Sequence, residues 1–179
     1  YEIYDEVVPD PGVGEVQRCY ERARECGADA LVAVGGGSSI DTAKMAAVLL
    51  TNGGTVLDYI GIDKAPKPAA PVVAIPTTAG TGSEATHFAV VYRNKKKYSI
   101  ADQSLLPNVA IVDPDLTMSM PPALTAVTGL DALAQAIESY WSVGSTEESK
   151  QYAKQALGRI TKSLDIAIHD PSKKTREDI

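Results

Sequence analysis

The chain has 179 residues, 44% of them hydrophobic and 22% charged, a balance that suits a globular protein with a real core and excludes disorder as the default. Its 23 acidic and 17 basic side chains leave a net charge of −6, which disfavours a nucleic-acid or anionic-membrane surface. The apolar runs are interrupted by Gly, Pro, Asp or Lys within about a dozen residues, short of a membrane span, and no secretory h-region opens the chain, so a cytoplasmic protein is expected.

The first element is a helix over Val13 to Cys26. Val16, Cys19, Tyr20 and Ala23 share a face at helical spacing, and Gly27 stands where a C-terminal cap belongs. Cys19 and Cys26 lie two turns apart on it, roughly 10 Å along the axis and beyond disulfide reach, so both are expected reduced. The run ADALVAVGGG follows, short and β-branched enough for a buried strand ending at Gly35. A second helix is predicted from Ser39 to Leu50, largely buried, and stopped at Asn52-Gly53-Gly54. After the Pro-rich link KAPKPAAP come a buried strand VVAIP, the loop TTAGTGSEA, a hairpin turning near Arg93-Asn94, and another buried strand, VAIVDP. From about Pro121 the pattern becomes purely helical, first Leu124 to Trp141 and then Glu147 to about Ile168. The expected fold is therefore α/β: a parallel-sheet, Rossmann-like domain over residues 1–120 and the start of an all-helical domain over 121–179.

A strand that ends in Gly35-Gly36-Gly37-Ser38 and runs into a helix aims backbone N–H groups and the positive end of the helix dipole beyond its carboxyl end. A phosphate or pyrophosphate suits that position, and glycine lets it approach the backbone. Neither common phosphate motif is present: Ile40 stands at the third glycine of the dinucleotide fingerprint, and no Gly-Lys-Ser/Thr closes a Walker loop. Ser38-x-x-Asp41 also reads as a capping box, with Asp41 as a helix-start acceptor. The second loop packs three threonines, a serine and two glycines between Thr77 and Ser83, a density of hydroxyl donors suited to a polar ligand. Thr81-x-x-Glu84 offers another helix start. Two such loops at strand ends of one open sheet are the composition expected of a crevice site for a nucleotide. Lys97, in a lysine triplet of the hairpin, could add positive charge to it.

In TGLDALAQAIESYW the residues Leu130, Leu133, Ile137 and Tyr140 form an apolar face, with Asp131, Gln135 and Glu138 as a second stripe. On a solvated helix that stripe is ordinary. Asp with an oxygen or nitrogen donor at i+4 is also a spacing that puts two ligands on one metal. No Ser-His-Asp or Cys-His set is persuasively placed, and no catalytic side chain is assigned.

Taken together, GGGSSIDTAK, PTTAGTGSE, the lysine before Tyr98, VAIVDPDLT and TGLDALAQAIESY resemble, in order and spacing, the iron-containing (group III) alcohol dehydrogenase family. The resemblance implies a nucleotide-binding α/β domain followed by a helical one, with NAD(P) between them and a divalent metal, Fe²⁺ or Zn²⁺, on the helical side. It implies that Gly36, Gly37 and Ser38 hold the pyrophosphate, that Thr77, Thr78 and Thr81 line the site towards the nicotinamide, and that Lys97 contacts the cofactor. Asp131 would be the first metal ligand. Where the family pattern reads DALxHAIE, this chain has Gln135, a weaker ligand than imidazole.

The chain further resembles the first half of a family member, starting after the first strands. The residues that would discriminate NAD from NADP are therefore expected upstream of Tyr1. The implied activity is metal-assisted hydride transfer between NAD(P)H and a small aldehyde or primary alcohol, by a homo-oligomer. The stretch QAIESYWSVGSTEES resembles members that reduce phosphonoacetaldehyde. Two other readings stay open, a dehydroquinate synthase-like lyase and a nucleotide-binding paralogue without metal catalysis.

Overall fold

The computed structural model describes all 179 residues, which form two compact units. The first comprises Tyr1–Pro76 and Ser83–Val112, and the second Thr77–Gly82 and Asp113–Ile179.

In the first unit, helix α1 (Val13–Glu25) buries the face spaced by Val16, Cys19, Tyr20 and Ala23. It ends in a Schellman motif: the amides of Gly27 and Ala28 donate to the carbonyls of Arg24 and Ala23, and Gly27 takes φ +68°. Strand β1 (Leu31–Gly35) leads into α2 (Gly37–Asn52), which is buried at Ile40 and from Thr42 to Leu49. A two-residue strand β2 (Gly61–Ile62), missed in the sequence, precedes β3 (Val72–Pro76). The hairpin is β4 (Phe88–Arg93) and β5 (Lys96–Ala101). It turns at Asn94-Lys95, one residue later than expected, with both residues at positive φ as a two-residue hairpin turn demands. The last strand, β6 (Val109–Ala110), is only two residues long.

The strands form two sheets. The order β1-β3-β6 is parallel throughout, while β2 runs parallel to β5 and β5 antiparallel to β4. Ala33, Ile40, Ala43 and Ala74 interlock where α2 lies on the first sheet. A larger core gathers Val16, Tyr20, Met45, Leu49, Val91 and Ile100 from both helices and the hairpin.

The expectation that β1 and the VAIVDP segment are buried strands is corrected here. Val32 and Val34 are 65% and 59% exposed, and Val109 and Val112 are exposed as well. Helix α2 covers one face of the sheet, so the side chains alternate between covered and bare although the sequence is apolar throughout. A second correction concerns Thr81-x-x-Glu84, which starts only a three-residue 3₁₀ turn over Ser83–Ala85.

In the second unit, α3 (Pro122–Trp141) opens on proline at its first position and pairs with α4 (Glu147–His169). Thr146 caps α4 by accepting from the Ser149 amide. The buried residues of α3 are Thr125, Gly129 and Ala136, and Leu130 and Tyr140 are exposed. Leu133 and Ile137 are half-buried, so the predicted apolar face packs only in part. The close approach of α3 to Leu164 uses small residues, and a Cβ on Gly129 would overlap the Leu164 side chain. A short helix α5 (Lys173–Glu177) is pinned to the start of α3 by the buried Arg176, which donates to Thr125 Oγ1 at 2.8 Å and the Met120 carbonyl at 3.3 Å.

Candidate functional site

The parallel register sets Leu31 against Val72 and Gly35 against Pro76. Both glycine- and hydroxyl-rich loops therefore leave the carboxyl ends of neighbouring strands at the same level, the position where open α/β sheets bind ligands. Gly35 has φ +156°, and a Cβ there would overlap Ser39. Gly36 is the N-cap of α2 in extended conformation, and its carbonyl accepts from Ser39 and Ile40. Gly37 and Ser38 are the first two helical residues, whose amides precede any intrahelical acceptor. No acidic residue lies within that first turn, which suits an anion at the helix start.

The capping box expected from Ser38 and Asp41 does not form. Ser38 sits inside the helix, where its hydroxyl oxygen accepts from the Asp10 amide at 3.2 Å and its carbonyl from Thr42 Oγ1. Asp41 instead reaches away from the helix start. Its Oδ1 accepts from Ser83 Oγ at 2.5 Å and its Oδ2 from the Val90 amide at 2.9 Å. Burial raises the Asp41 carboxyl above its ordinary value, against the opposing effect of these two bonds and of the Lys44 and Lys97 charges. Lys97 is exposed on β5, opposite Tyr92.

Lys44 escaped the sequence reading. It is 0% exposed, and its Nζ donates to the carbonyls of Thr86 at 2.8 Å and Phe88 at 2.9 Å, with Thr86 Oγ1 at 3.4 Å. Burial lowers its pKa from 10.5 to about 8, with Asp41 and Glu84 acting in the opposite sense. The available signal was a lysine one turn after Asp41 on an otherwise apolar helix.

Within the second unit, Thr77, Thr78 and Thr81 are partly buried in a loop whose Gly80 fits closely against α3. Gly80 has φ +104°, and a Cβ on it would overlap the Thr128 carbonyl oxygen. The same loop meets the predicted metal pair. Gln135 donates its amide to Asp131 Oδ2 at 2.7 Å and to the Gly80 carbonyl at 3.4 Å. Both residues are exposed.

Asp131 and Gln135 thus supply a carboxylate and a carboxamide on one helical face, but no group of three or more His, Cys, Asp or Glu converges in this chain. The amide nitrogen, not its oxygen, faces the carboxylate. Ligation through Gln135 requires that amide to turn over and give up both bonds. These residues alone do not complete a divalent-metal site. His87 stacks on Phe88 and His169 pairs with Asp165 on α4. No helix is long and apolar enough to cross a membrane.

Residues 1–114 match the family model for iron-containing alcohol dehydrogenases. The chain belongs to the iron-containing alcohol dehydrogenase family. It is 44% identical over 168 residues to the NAD-dependent methanol dehydrogenase of Bacillus methanolicus, covering 93% of this chain and 44% of that protein. The sulfoacetaldehyde reductase of Bilophila wadsworthia is 37% identical over 159 residues, covering 88% of this chain and 41% of that one. Among solved structures, a sulfoacetaldehyde reductase from Bifidobacterium kashiwanohense in complex with NAD⁺ superposes with a TM-score of 0.92 at 39% identity, covering 99% of this chain and 48% of that chain. The chain spans about half the length of these relatives. The Rossmann-like α/β fold expected from the sequence is the fold of these family members.

Proposed function

We propose that this chain supplies the nucleotide-binding part of an NAD(P)-dependent alcohol dehydrogenase or aldehyde reductase. The observation that carries the reading is the in-register exit of both loops from β1 and β3, with α2 opening directly from the first. On this reading residues 1–120 bind the cofactor and 121–179 begin the helical part. Gly36, Gly37 and Ser38 hold the pyrophosphate through backbone amides and the helix dipole. Thr77, Thr78 and Thr81 offer hydroxyls towards the nicotinamide ribose and ring, and Lys97 adds positive charge near the cofactor.

The reaction is transfer of a hydride from the nicotinamide C4 to an aldehyde carbon, with a proton added to the oxygen, giving a primary alcohol and the oxidised cofactor, or the reverse. A divalent metal, when bound, polarises the substrate oxygen. Asp131 is this chain's anionic contribution to that site and Gln135 its neutral neighbour.

The relatives named sulfoacetaldehyde reductases support a two-carbon aldehyde bearing an anionic head group as substrate, phosphonoacetaldehyde included. The Gln135 amide engaged on Asp131 favours a second reading, a paralogue that binds nucleotide without metal catalysis.

The experiment is steady-state oxidation of NADH and NADPH by the complete gene product with acetaldehyde, sulfoacetaldehyde and phosphonoacetaldehyde, beside direct cofactor binding. Turnover with any of the three supports the reductase. Binding without turnover selects the paralogue, and absence of both overturns the nucleotide reading.

A further inference from the structure

We propose that Asp41 and Lys44 are positioning residues for cofactor binding: from one face of α2 they clamp the segment Ser83–Val90, which follows the Thr77–Gly82 loop, to the helix whose first turn carries Gly37 and Ser38. The inference rests on the cofactor reading above and adds residues that reading leaves unused.

The geometry is dense. Across the eight residues from Ser83 to Val90, two side chains hold four positions: Ser83 and Val90 through Asp41, and Thr86 and Phe88 through Lys44. Asp41 and Lys44 lie three apart on α2, so both project from one side of the helix. They grip backbone groups more than side chains, which fixes where the chain runs, whatever its sequence.

Burying a lysine in this way is a poor device for stability alone. An apolar side chain of similar volume would fill the space without desolvating a charge and is often neutral or stabilising, so on this proposal the buried ion serves to specify one arrangement. The arrangement specified here is the path of the strand leaving the second loop. Ser83 is the first residue after Gly82, and its hydroxyl is held by α2.

The groups around Lys44 determine how the clamp responds to pH. Asp41 on its own helix and Glu84 in the Ser83–Ala85 turn favour the ammonium form, and burial opposes it, leaving the amine with a pKa of about 8. Strands β1 and β3, which pack on α2, contain no titratable side chain, nor does the Gln103–Leu105 turn. Helix α1 turns Cys19 and Tyr20 into the core. Strand β4 carries Tyr92 and Arg93 at its hairpin end, β5 carries Lys97 acting on Asp41, and His87 lies between the two residues whose carbonyls Lys44 holds. Once Lys44 is neutral it has one proton fewer to donate and no charge, and its grip on the carbonyls weakens.

The test is NADH affinity against pH for the complete gene product, read by cofactor fluorescence, in the wild type, Lys44→Met and Asp41→Asn, with denaturant unfolding alongside. The wild type should bind uniformly well below pH 8 and weaken as the pH rises through about 8. Lys44→Met should bind about tenfold more weakly and show no break at that pH, the size expected for loss of charge-assisted hydrogen bonds. Asp41→Asn can keep both its bonds, but removes the negative charge that supports the ammonium, so the break should move to lower pH.

A purely structural lysine would not give that displacement. A folded Lys44→Met with wild-type affinity and the wild-type pH profile overturns the proposal. If Lys44→Met does not fold, an unmoved break in Asp41→Asn overturns it. Failure of the wild type to bind either NADH or NADPH overturns the cofactor reading and the inference with it, and is seen before any variant is made.

Discussion

Gln135 donates its side-chain amide to the Asp131 carboxylate at 2.7 Å, one turn apart on α3. The same nitrogen reaches the Gly80 carbonyl at 3.4 Å. A carboxylate already engaged by a neutral donor holds a cation less readily than one that is free, and the donor must turn over before it can ligate.

From this pairing, Gln135→His should raise the affinity of the complete gene product for Zn²⁺ or Fe²⁺ by on the order of tenfold or more, because imidazole is the stronger ligand and no longer needs to release two bonds. Asp131→Asn should lower metal retention in either background. Metal content after dialysis against a graded chelator measures both. Equal retention by wild type and Gln135→His would remove Gln135 from the metal site altogether.

Gly80→Ala should destabilise the protein by more than Gly82→Ala. Both glycines have positive φ, +104° and +64°, but only at Gly80 does an added Cβ overlap a backbone carbonyl, that of Thr128, while at Gly82 nothing lies within 4 Å. The backbone strain alone is about 1 kcal/mol at either position, and the overlap at Gly80 adds roughly 1–3 kcal/mol because a backbone oxygen cannot rotate away. Denaturant midpoints with unchanged slopes would register the difference. Equal midpoints would show that the loop can lift off α3 at little cost.

The two cysteines should differ in reactivity. Cys26 is exposed, and burial pushes the Cys19 thiol up to about 11. At a pH near 8 roughly one Cys19 in a thousand is thiolate, and it is also shielded, so alkylation of native protein should modify Cys26 at least about a hundredfold faster. Peptide mapping after timed iodoacetamide treatment measures the ratio. Comparable rates would mean that α1 opens readily from the core.

What the sequence made legible was local. The cap at Gly27 and the strand ending at Gly35 each depend on neighbours a few residues apart and lie where periodicity and glycine put them, while the hairpin turns one residue later than expected. Asp41 was misread because its partners, Ser83 and Val90, are 42 and 49 residues away, and nothing in a helix-start pattern points to them. Lys44 was overlooked for the same reason. Thr125 and Gly129 were missed on the packed side of α3 because hydrophobicity does not score them, although close helix approach selects small residues there. The bare side of β1 was missed because an apolar run predicts two covered faces, and within these 179 residues α2 covers one.

Lys44 also sets a pH dependence of stability with a definite sign. Its pKa falls from 10.5 to about 8 on folding, and it is fully buried. Between those values the unfolded chain holds a proton that the folded chain has released, so ν_U exceeds ν_N and this residue makes stability rise with pH. Below pH 8 both states are protonated and the folded state carries the whole cost of the buried ammonium, roughly 3 kcal/mol for a displacement of that size. The cost fades as pH climbs to 10.5. Lys44→Met lacks the titrating group, so the stability difference between it and the wild type should change with pH in that window and be constant below it. Urea unfolding of both proteins at a series of pH values measures the difference, in which lysines and tyrosines common to the two cancel. A difference that stays constant across the window would mean that the Thr86 and Phe88 carbonyls sustain the ammonium as well as water does, and that the amine titrates near its ordinary value.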